Sequence, residues 1–208
     1  MSQFIESIKV EDRKIFLLDL HQKRINETFA HFGTEGSLDL GKIFQEMQHD
    51  EDGLYKLKIT YDLEGKFSKM LIPYAISEIS EIQLVENNSY DYSFKFADRK
   101  ELEKMLQKSR TDEIMIVKNN HITDTSYANI LFKKGKDWFT TSTYLLNGVQ
   151  RQHLLKTKKI KEVEITLQNL KEYSHFQIIN AMNDFDDMFI YPISKITNLP
   201  GNSEYLSV

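Results

Sequence analysis

Alternating runs separated by short polar turns constrain this chain more than any other feature. Phe4, Glu6, Ile8 and Val10 alternate with Ile5, Ser7 and Lys9, and Asp12-Arg13 breaks the run before a second strand over 15–18. Tyr55, Leu57, Ile59 and Tyr61 alternate with Lys56, Lys58 and Thr60, and Leu63-Glu64-Gly65-Lys66 follows before a strand over 67–72. Asn119-Asn120 comes after a strand over 114–117, and Lys134-Gly135-Lys136 separates strands over 130–132 and 138–140. A period of two fits a strand, and Asn, Asp and Gly tolerate the positive φ of tight turns. A largely antiparallel sheet is therefore predicted, with further strands over 79–85, near Val163 and over 176–180.

Helical spacing interrupts these runs. Leu18, His21, Ile25, Thr28, Phe29 and Phe32 recur on one face, and Gly33 stands where a C-terminal cap belongs. Leu40, Ile43, Phe44 and Met47 suggest a short second helix. Residues 98–109 form a charged amphipathic helix with Leu102, Met105 and Leu106 inward, and another helix opens near Gly148. The result is a mixed α/β (α+β) chain. The polar dipeptide Asn87-Asn88 is the candidate boundary between a small N-terminal α/β domain, 1–88, and a larger C-terminal domain, 89–208.

Composition narrows the chemistry. The 208 residues are 40% apolar and 28% charged, which suits a globular protein. A net charge of -4 with interspersed signs offers no basic face for nucleic acid, and Glu162 and Glu164 follow at once on the lysines at 156, 158, 159 and 161. The absence of cysteine excludes disulfides, thiolate metal sites and cysteine nucleophiles. The six histidines are scattered without metal-ligand spacing. No stretch approaches the roughly 20 apolar residues of a membrane span, and no apolar leader opens the chain, so a cytoplasmic location is expected.

Four short motifs then occur in a fixed order: His21-Gln22-Lys23-Arg24, Lys95-Phe96-Ala97-Asp98-Arg99, Thr123-Asp124-Thr125-Ser126-Tyr127-Ala128-Asn129, and Trp138-Phe139-Thr140-Thr141 leading to Leu146-Asn147-Gly148-Val149-Gln150-Arg151. As an ordered set they resemble the class IV aminotransferase family, from about Phe4 to Ile193. The family's patterns are H-x-x-R, K-x-x-x-R, T-[E/D]-x-S-x-x-N and W-x-T-P followed by L-x-G-x-x-R.

The resemblance implies a two-domain fold type IV enzyme of the D-amino-acid aminotransferase kind, with a pseudobarrel-like C-terminal domain that carries Lys95. It implies pyridoxal 5'-phosphate as cofactor and Lys95 as the lysine that holds its aldehyde, an amine that burial and neighbouring cations would keep deprotonated. Asp124 falls where the family carries an acid opposite the ring nitrogen, here one methylene shorter than glutamate. Gly148, Val149 and Gln150 would cradle the phosphate at a helix start, with the glycine letting the backbone approach, and Arg24 would supply the permanent cation. Gln150 stands where relatives often carry a threonine. Leu146 would pack on the ring face. Asn180, in Asn180-Ala181, matches a substrate-side segment that in lyase-like members shows the same pair.

Within the family the resemblance is to 4-amino-4-deoxychorismate lyases, which release 4-aminobenzoate and pyruvate and would set the chain in folate synthesis. The alternative is an amino-acid transaminase of branched-chain or D-amino-acid type. A third reading is a non-catalytic cofactor-binding relative, because other members carry further strands ahead of the position of Phe4. The expected partners are a small-molecule amine and a second copy of the chain, a homodimer, with neither nucleic acid nor membrane.

Overall fold

The computed structural model describes residues 2–47, 52–185 and 189–199, and the backbone of 206–207. The chain divides into two compact units: Met1–Ile76 with Phe94–Asp98, and Ser77–Ser93 with Arg99–Val208.

The first unit is built on a four-stranded antiparallel sheet. Its strands are β1 (Gln3–Glu11), β2 (Lys14–Ile15), β3 (Leu54–Asp62) and β4 (Phe67–Pro73), in the order β2-β1-β3-β4. Asp12 and Arg13 both take positive φ (46° and 65°), as the β1–β2 hairpin turn requires. The second strand stops earlier than expected: Leu17 is left-handed (φ 53°), and helix α1 (Leu18–His31) begins directly after it. Gly33 takes the left-handed position after that helix (φ 64°), and a short α2 (Leu40–Gln45) is capped by Asp39, whose side chain accepts from the Lys42 N–H at 2.9 Å.

Register places Phe4 opposite Tyr61, Glu6 opposite Ile59, Ile8 opposite Leu57 and Val10 opposite Tyr55. This face packs with Ile25 and Phe29 of α1 and Leu40 and Ile43 of α2 into one core. Glu6 is thus the one charged residue in an otherwise apolar row of β1.

The remote piece Phe94–Asp98 completes the edge of β1 that short β2 leaves open. The Ile5 N–H donates to the Lys95 carbonyl (2.9 Å), and the Ala97 N–H donates to that of Gln3 (2.7 Å). Phe96 bridges to Phe4, and their rings lie 5.2 Å apart. Lys95 therefore belongs with the N-terminal unit, not with the C-terminal domain expected from the sequence. The expected boundary at Asn87-Asn88 lies inside the second unit. Asn87 is buried and its side-chain oxygen accepts from the N–H groups of Ser89 and Tyr90, while Asn88 accepts from the Asn119 N–H. These asparagines close a local turn, which is why their polarity does not mark a linker.

Among the described residues the second unit contains α3 (Lys100–Ser109), α4 (Val149–Lys156) and nine strands: β5 (Ile82–Glu86), β6 (Glu113–Lys118), β7 (His121–Thr125), β8 (Asn129–Lys134), β9 (Asp137–Thr141), β10 (Lys161–Val163), β11 (His175–Ile179), β12 (Tyr191–Pro192) and β13 (Leu206–Ser207). They run in the order β10-β9-β8-β7-β6-β5-β13, with β11 joined to β8 and β12 to β11. Pairing is antiparallel except for β5–β6, β9–β10 and β5–β13. Asn119 and Asn120 (φ 48° and 69°) make the β6–β7 turn, and Gly135 (φ 61°) the β8–β9 turn. Strand β8 is buried on both faces: Ile130 and Phe132 enter the main core, and Leu131 meets Leu154, Ile160 and Ile179. Among the described residues no helix is long and apolar enough to cross a membrane.

Candidate active site

In the second unit the site begins at the turn joining β7 to β8. Residues 126–128 turn so tightly that Asp124 and Asn129 stand directly opposite each other, the sole register pair of those strands. Buried Glu113 holds the turn by accepting from the Ser126 N–H (2.9 Å) and its hydroxyl (3.0 Å). Arg99 Nη2 donates to the Ser126 carbonyl (2.7 Å). Burial raises the Glu113 carboxyl above its ordinary value, against the pull of these donors and Arg99.

Asp124 and Asn129 then organise the loop that leads into α4. Asn129 Nδ2 donates to Asp124 Oδ1 and to the Leu146 carbonyl, each at 2.9 Å. Asp124 Oδ2 accepts from the N–H groups of Leu145 (3.1 Å) and Leu146 (2.8 Å). Burial pushes the Asp124 carboxyl up to about 7, although these donors and Arg151 pull the other way. Gly148 caps α4 in an extended conformation, and no side chain caps that helix start. The Val149 and Gln150 N–H groups therefore begin an uncapped helix, an arrangement that favours an anion.

Arg151 locks the other side of this loop. Its guanidinium is buried and donates to Asn147 Oδ1 and the Thr141 carbonyl, each at 3.0 Å. It also pairs with Glu162 and lies 4.3 Å over the Tyr144 ring. Asn180 lies at the end of β11, and its side-chain oxygen accepts from the N–H groups of Met182 (2.7 Å) and Asn183 (3.0 Å). The side-chain oxygen of Asn180 therefore closes a local turn.

The first unit holds a second polar group. Glu6 and His21 are wholly buried and Arg24 nearly so. Arg24 Nε donates to Glu6 Oε1 (2.8 Å) and Nη2 to Oε2 (2.5 Å), while His21 Nδ1 meets Oε2 at 2.6 Å. Burial alone would raise the Glu6 carboxyl, but Arg24 and His21 outweigh it and hold it at about 2. Burial lowers His21, and Arg24 and Lys95 add to that effect against the pull of Glu6. His21 is therefore neutral, with Nδ1–H donating to Glu6. Lys95 sits at the centre of a three-residue turn, in which the Phe96 N–H donates to the Phe94 carbonyl at 2.8 Å.

The expected residues thus form two sets: Arg24 and Lys95 in the first unit, and Asp124, Leu146, Gly148, Val149 and Gln150 in the second. Glu6, His21, Asn129, Glu113 and Arg151 had no role assigned from the sequence. Glu6 carried a usable signal, because it shares the inward phase of β1 with Phe4, Ile8 and Val10.

The family profile described as amino-transferase class IV matches residues 3–196. An uncharacterized protein of Haemophilus influenzae (strain ATCC 51907 / DSM 11121 / KW20 / Rd) is 31% identical over 187 residues, which cover 88% of this chain and 99% of that one. A crystal structure from Haemophilus somnus 129PT, provisionally named a 4-amino-4-deoxychorismate lyase, is 32% identical with a TM-score of 0.81, covering 89% of this chain and 98% of that chain. An aminotransferase from Brucella abortus, bound to the cofactor PLP, has a TM-score of 0.68 at 15% identity, covering 91% of this chain and 79% of that chain, and shares the fold.

Proposed function

Because this chain belongs to the class IV aminotransferase family, and is an enzyme of that family and fold, we propose that it binds pyridoxal phosphate and acts as a lyase on 4-amino-4-deoxychorismate, giving 4-aminobenzoate and pyruvate. The observation that carries the cofactor reading is Asp124. A carboxylate offers about four acceptor positions, and its hydrogen bonds to Asn129, Leu145 and Leu146 leave room at Oδ1 for one more donor. Burial holds this acid near 7 against the pull of its donors and Arg151, and a protonated ring nitrogen beside it would restore its charged form.

The remaining donors suit the rest of the cofactor. The Val149 and Gln150 N–H groups, at the uncapped start of α4, would bind the phosphate dianion. Arg24, oriented by Glu6, is the cation that the family resemblance leads us to expect for a phosphate. When bound, the cofactor supplies an aldehyde that takes up amines and a ring that withdraws electrons from the attached carbon. Lys95 would hold that aldehyde covalently. Freed by the substrate amine, Lys95 Nζ would be the base that takes the substrate's ring proton, while the C–O bond to the enolpyruvyl group breaks and the leaving enolate takes up a proton to become pyruvate.

The lyase assignment draws its support from the likeness to the Haemophilus somnus protein. Purified protein supplied with pyridoxal phosphate and 4-amino-4-deoxychorismate should release pyruvate with no keto acid present, and Lys95→Ala should abolish release. No pyruvate from that substrate, together with amino-acid-dependent transfer to a keto acid, would establish the transaminase instead. A protein that stays colourless after addition of pyridoxal phosphate would overturn the cofactor reading. The same reading includes a homodimer, to be checked by light scattering.

A further inference from the structure

We propose that Asn129 is a positioning residue that holds the Asp124 carboxylate and the start of α4 in one arrangement, and that Gly148 lacks a side chain to admit Asn129. The inference rests on the cofactor reading above for its functional meaning, and on geometry within the second unit for its substance.

Asn129 is 5% exposed, and its Nδ2 has two acceptors at 2.9 Å, Asp124 Oδ1 and the Leu146 carbonyl. The Leu146 carbonyl is an acceptor only, so the amide nitrogen must face it and the amide can point in one direction alone. Its backbone is paired with that of Asp124 across the β7–β8 bridge, which fixes where the side chain starts. The same side chain therefore spans from the buried acid to the backbone two residues ahead of Gly148.

Gly148 supplies the complementary observation. Its φ of -62° and ψ of 147° are open to any residue, so backbone freedom does not call for glycine there. Space does. A Cβ at this position would lie 2.1 Å from Asn129 Oδ1 and 3.3 Å from its Cγ. Any side chain at 148 must displace the Asn129 amide, and displacement breaks both donations at once. Under the cofactor reading, close approach of the backbone to the phosphate would be a second benefit of this glycine, and the contact with Asn129 is why an alanine here forces the amide to move.

The positioning role has an electrostatic side. The Asn129 donation is among the interactions that keep the buried Asp124 carboxyl from rising further. Loss of Asn129 should raise that group, so that more of Asp124 is protonated at neutral pH and fewer molecules present a charged acceptor.

A double-mutant cycle tests this directly. Affinity for pyridoxal phosphate is measured across pH 6–9 for the wild type, Asn129→Ala, Gly148→Ala and the double variant, with urea unfolding of each apo protein as the folding control. Each single change should weaken binding by about tenfold or more, and the double should be no worse than the weaker single, a coupling within the range known for residues in contact. The pH midpoint for binding should move upward in both single variants, a change that a purely structural defect would not produce. Asn129→Ser, which keeps one donor, should fall between wild type and Asn129→Ala and serves if the alanine variant does not fold. Additive losses, or unchanged affinity and midpoint in Asn129→Ala, overturn the proposal while leaving the cofactor reading in place. If the wild type itself takes up no pyridoxal phosphate, the cofactor reading falls. The same cycle on apo unfolding midpoints then decides the contact, with additivity against it.

Discussion

Glu6 occupies a position where strand alternation calls for an apolar side chain, with Phe4 and Ile8 on either side of it in the same row. Its charge persists because Arg24 meets both carboxylate oxygens and His21 adds a third contact. Buried pairs of this kind cost desolvation to form, and removing one partner strands the other. Glu6→Gln should therefore lower stability by about 3–5 kcal/mol in urea unfolding, whereas Glu6→Leu combined with Arg24→Met should cost much less. A loss below about 1 kcal/mol for the single change would show that solvent, not Glu6, satisfies Arg24. Arg24 and His21 were legible from their shared spacing in His21-Gln22-Lys23-Arg24, and Glu6 from its inward phase, but the pairing of Glu6 with them was not. Glu6 lies 15 and 18 positions away, and only the β1 register brings it there. Asn129 was hidden for a similar reason, since its contacts at Leu146 and Gly148 depend on a fold-back over 17 residues or more.

At the level of elements, the hairpins were legible because their instructions are local. Asp12-Arg13, Asn119-Asn120 and Gly135 all take the positive φ that their turns need. The parallel pairings of β5 with β6 and β9 with β10, and the docking of β11 on β8, were not legible, because partners distant in sequence are chosen by shared cores. Asn87-Asn88 misled because asparagine closes buried turns as readily as it marks surface linkers. Arg151 shows how an element is fixed in place: it ties α4 to Thr141 of β9 and Glu162 of β10. Lysine cannot reproduce this forked donation or its stacking on Tyr144. Arg151→Lys should cost about 1.5–3 kcal/mol, the worth of a charged hydrogen bond, and lower the thermal midpoint. An unchanged midpoint would show that the fork contributes nothing to holding α4.

For the whole molecule, Glu6, His21 and Asp124 are, with Glu113 (raised like Asp124), buried groups that make stability depend on pH. Glu6, at about 2 when folded against 4.5 unfolded, gives stability that is complete above 4.5 and lost as pH falls toward 2. His21 lies below 6.5 when folded, so the unfolded chain gains protons first and stability falls as pH drops below 6.5. Asp124 acts in the opposite sense: at about 7 folded against 3.8 unfolded, it makes stability fall as pH rises between those values. A tenfold difference in proton affinity between the folded and unfolded chain is worth about 1.4 kcal/mol. Between about pH 4.5 and 6.5 the His21 and Asp124 effects oppose each other. Asp124→Asn should remove one of them, so that the apo variant loses stability more steeply than wild type as pH falls through this window. Urea unfolding at about pH 5, 6, 7 and 8 checks this, and parallel curves for the two proteins would refute it.

The return of Phe94–Asp98 to the sheet of the first unit also bears on the order in which the protein is made. A chain growing from its amino terminus finishes β1 to β4 well before it reaches Lys95. Until then the edge of β1 at Gln3–Ile5 lacks its neighbour, and Phe4 lacks the ring of Phe96. The segment that closes this edge is the one that carries the lysine. Completion of the first unit and arrival of Lys95, the residue proposed to hold the cofactor, therefore fall together in synthesis, and a chain halted at residue 76 has neither.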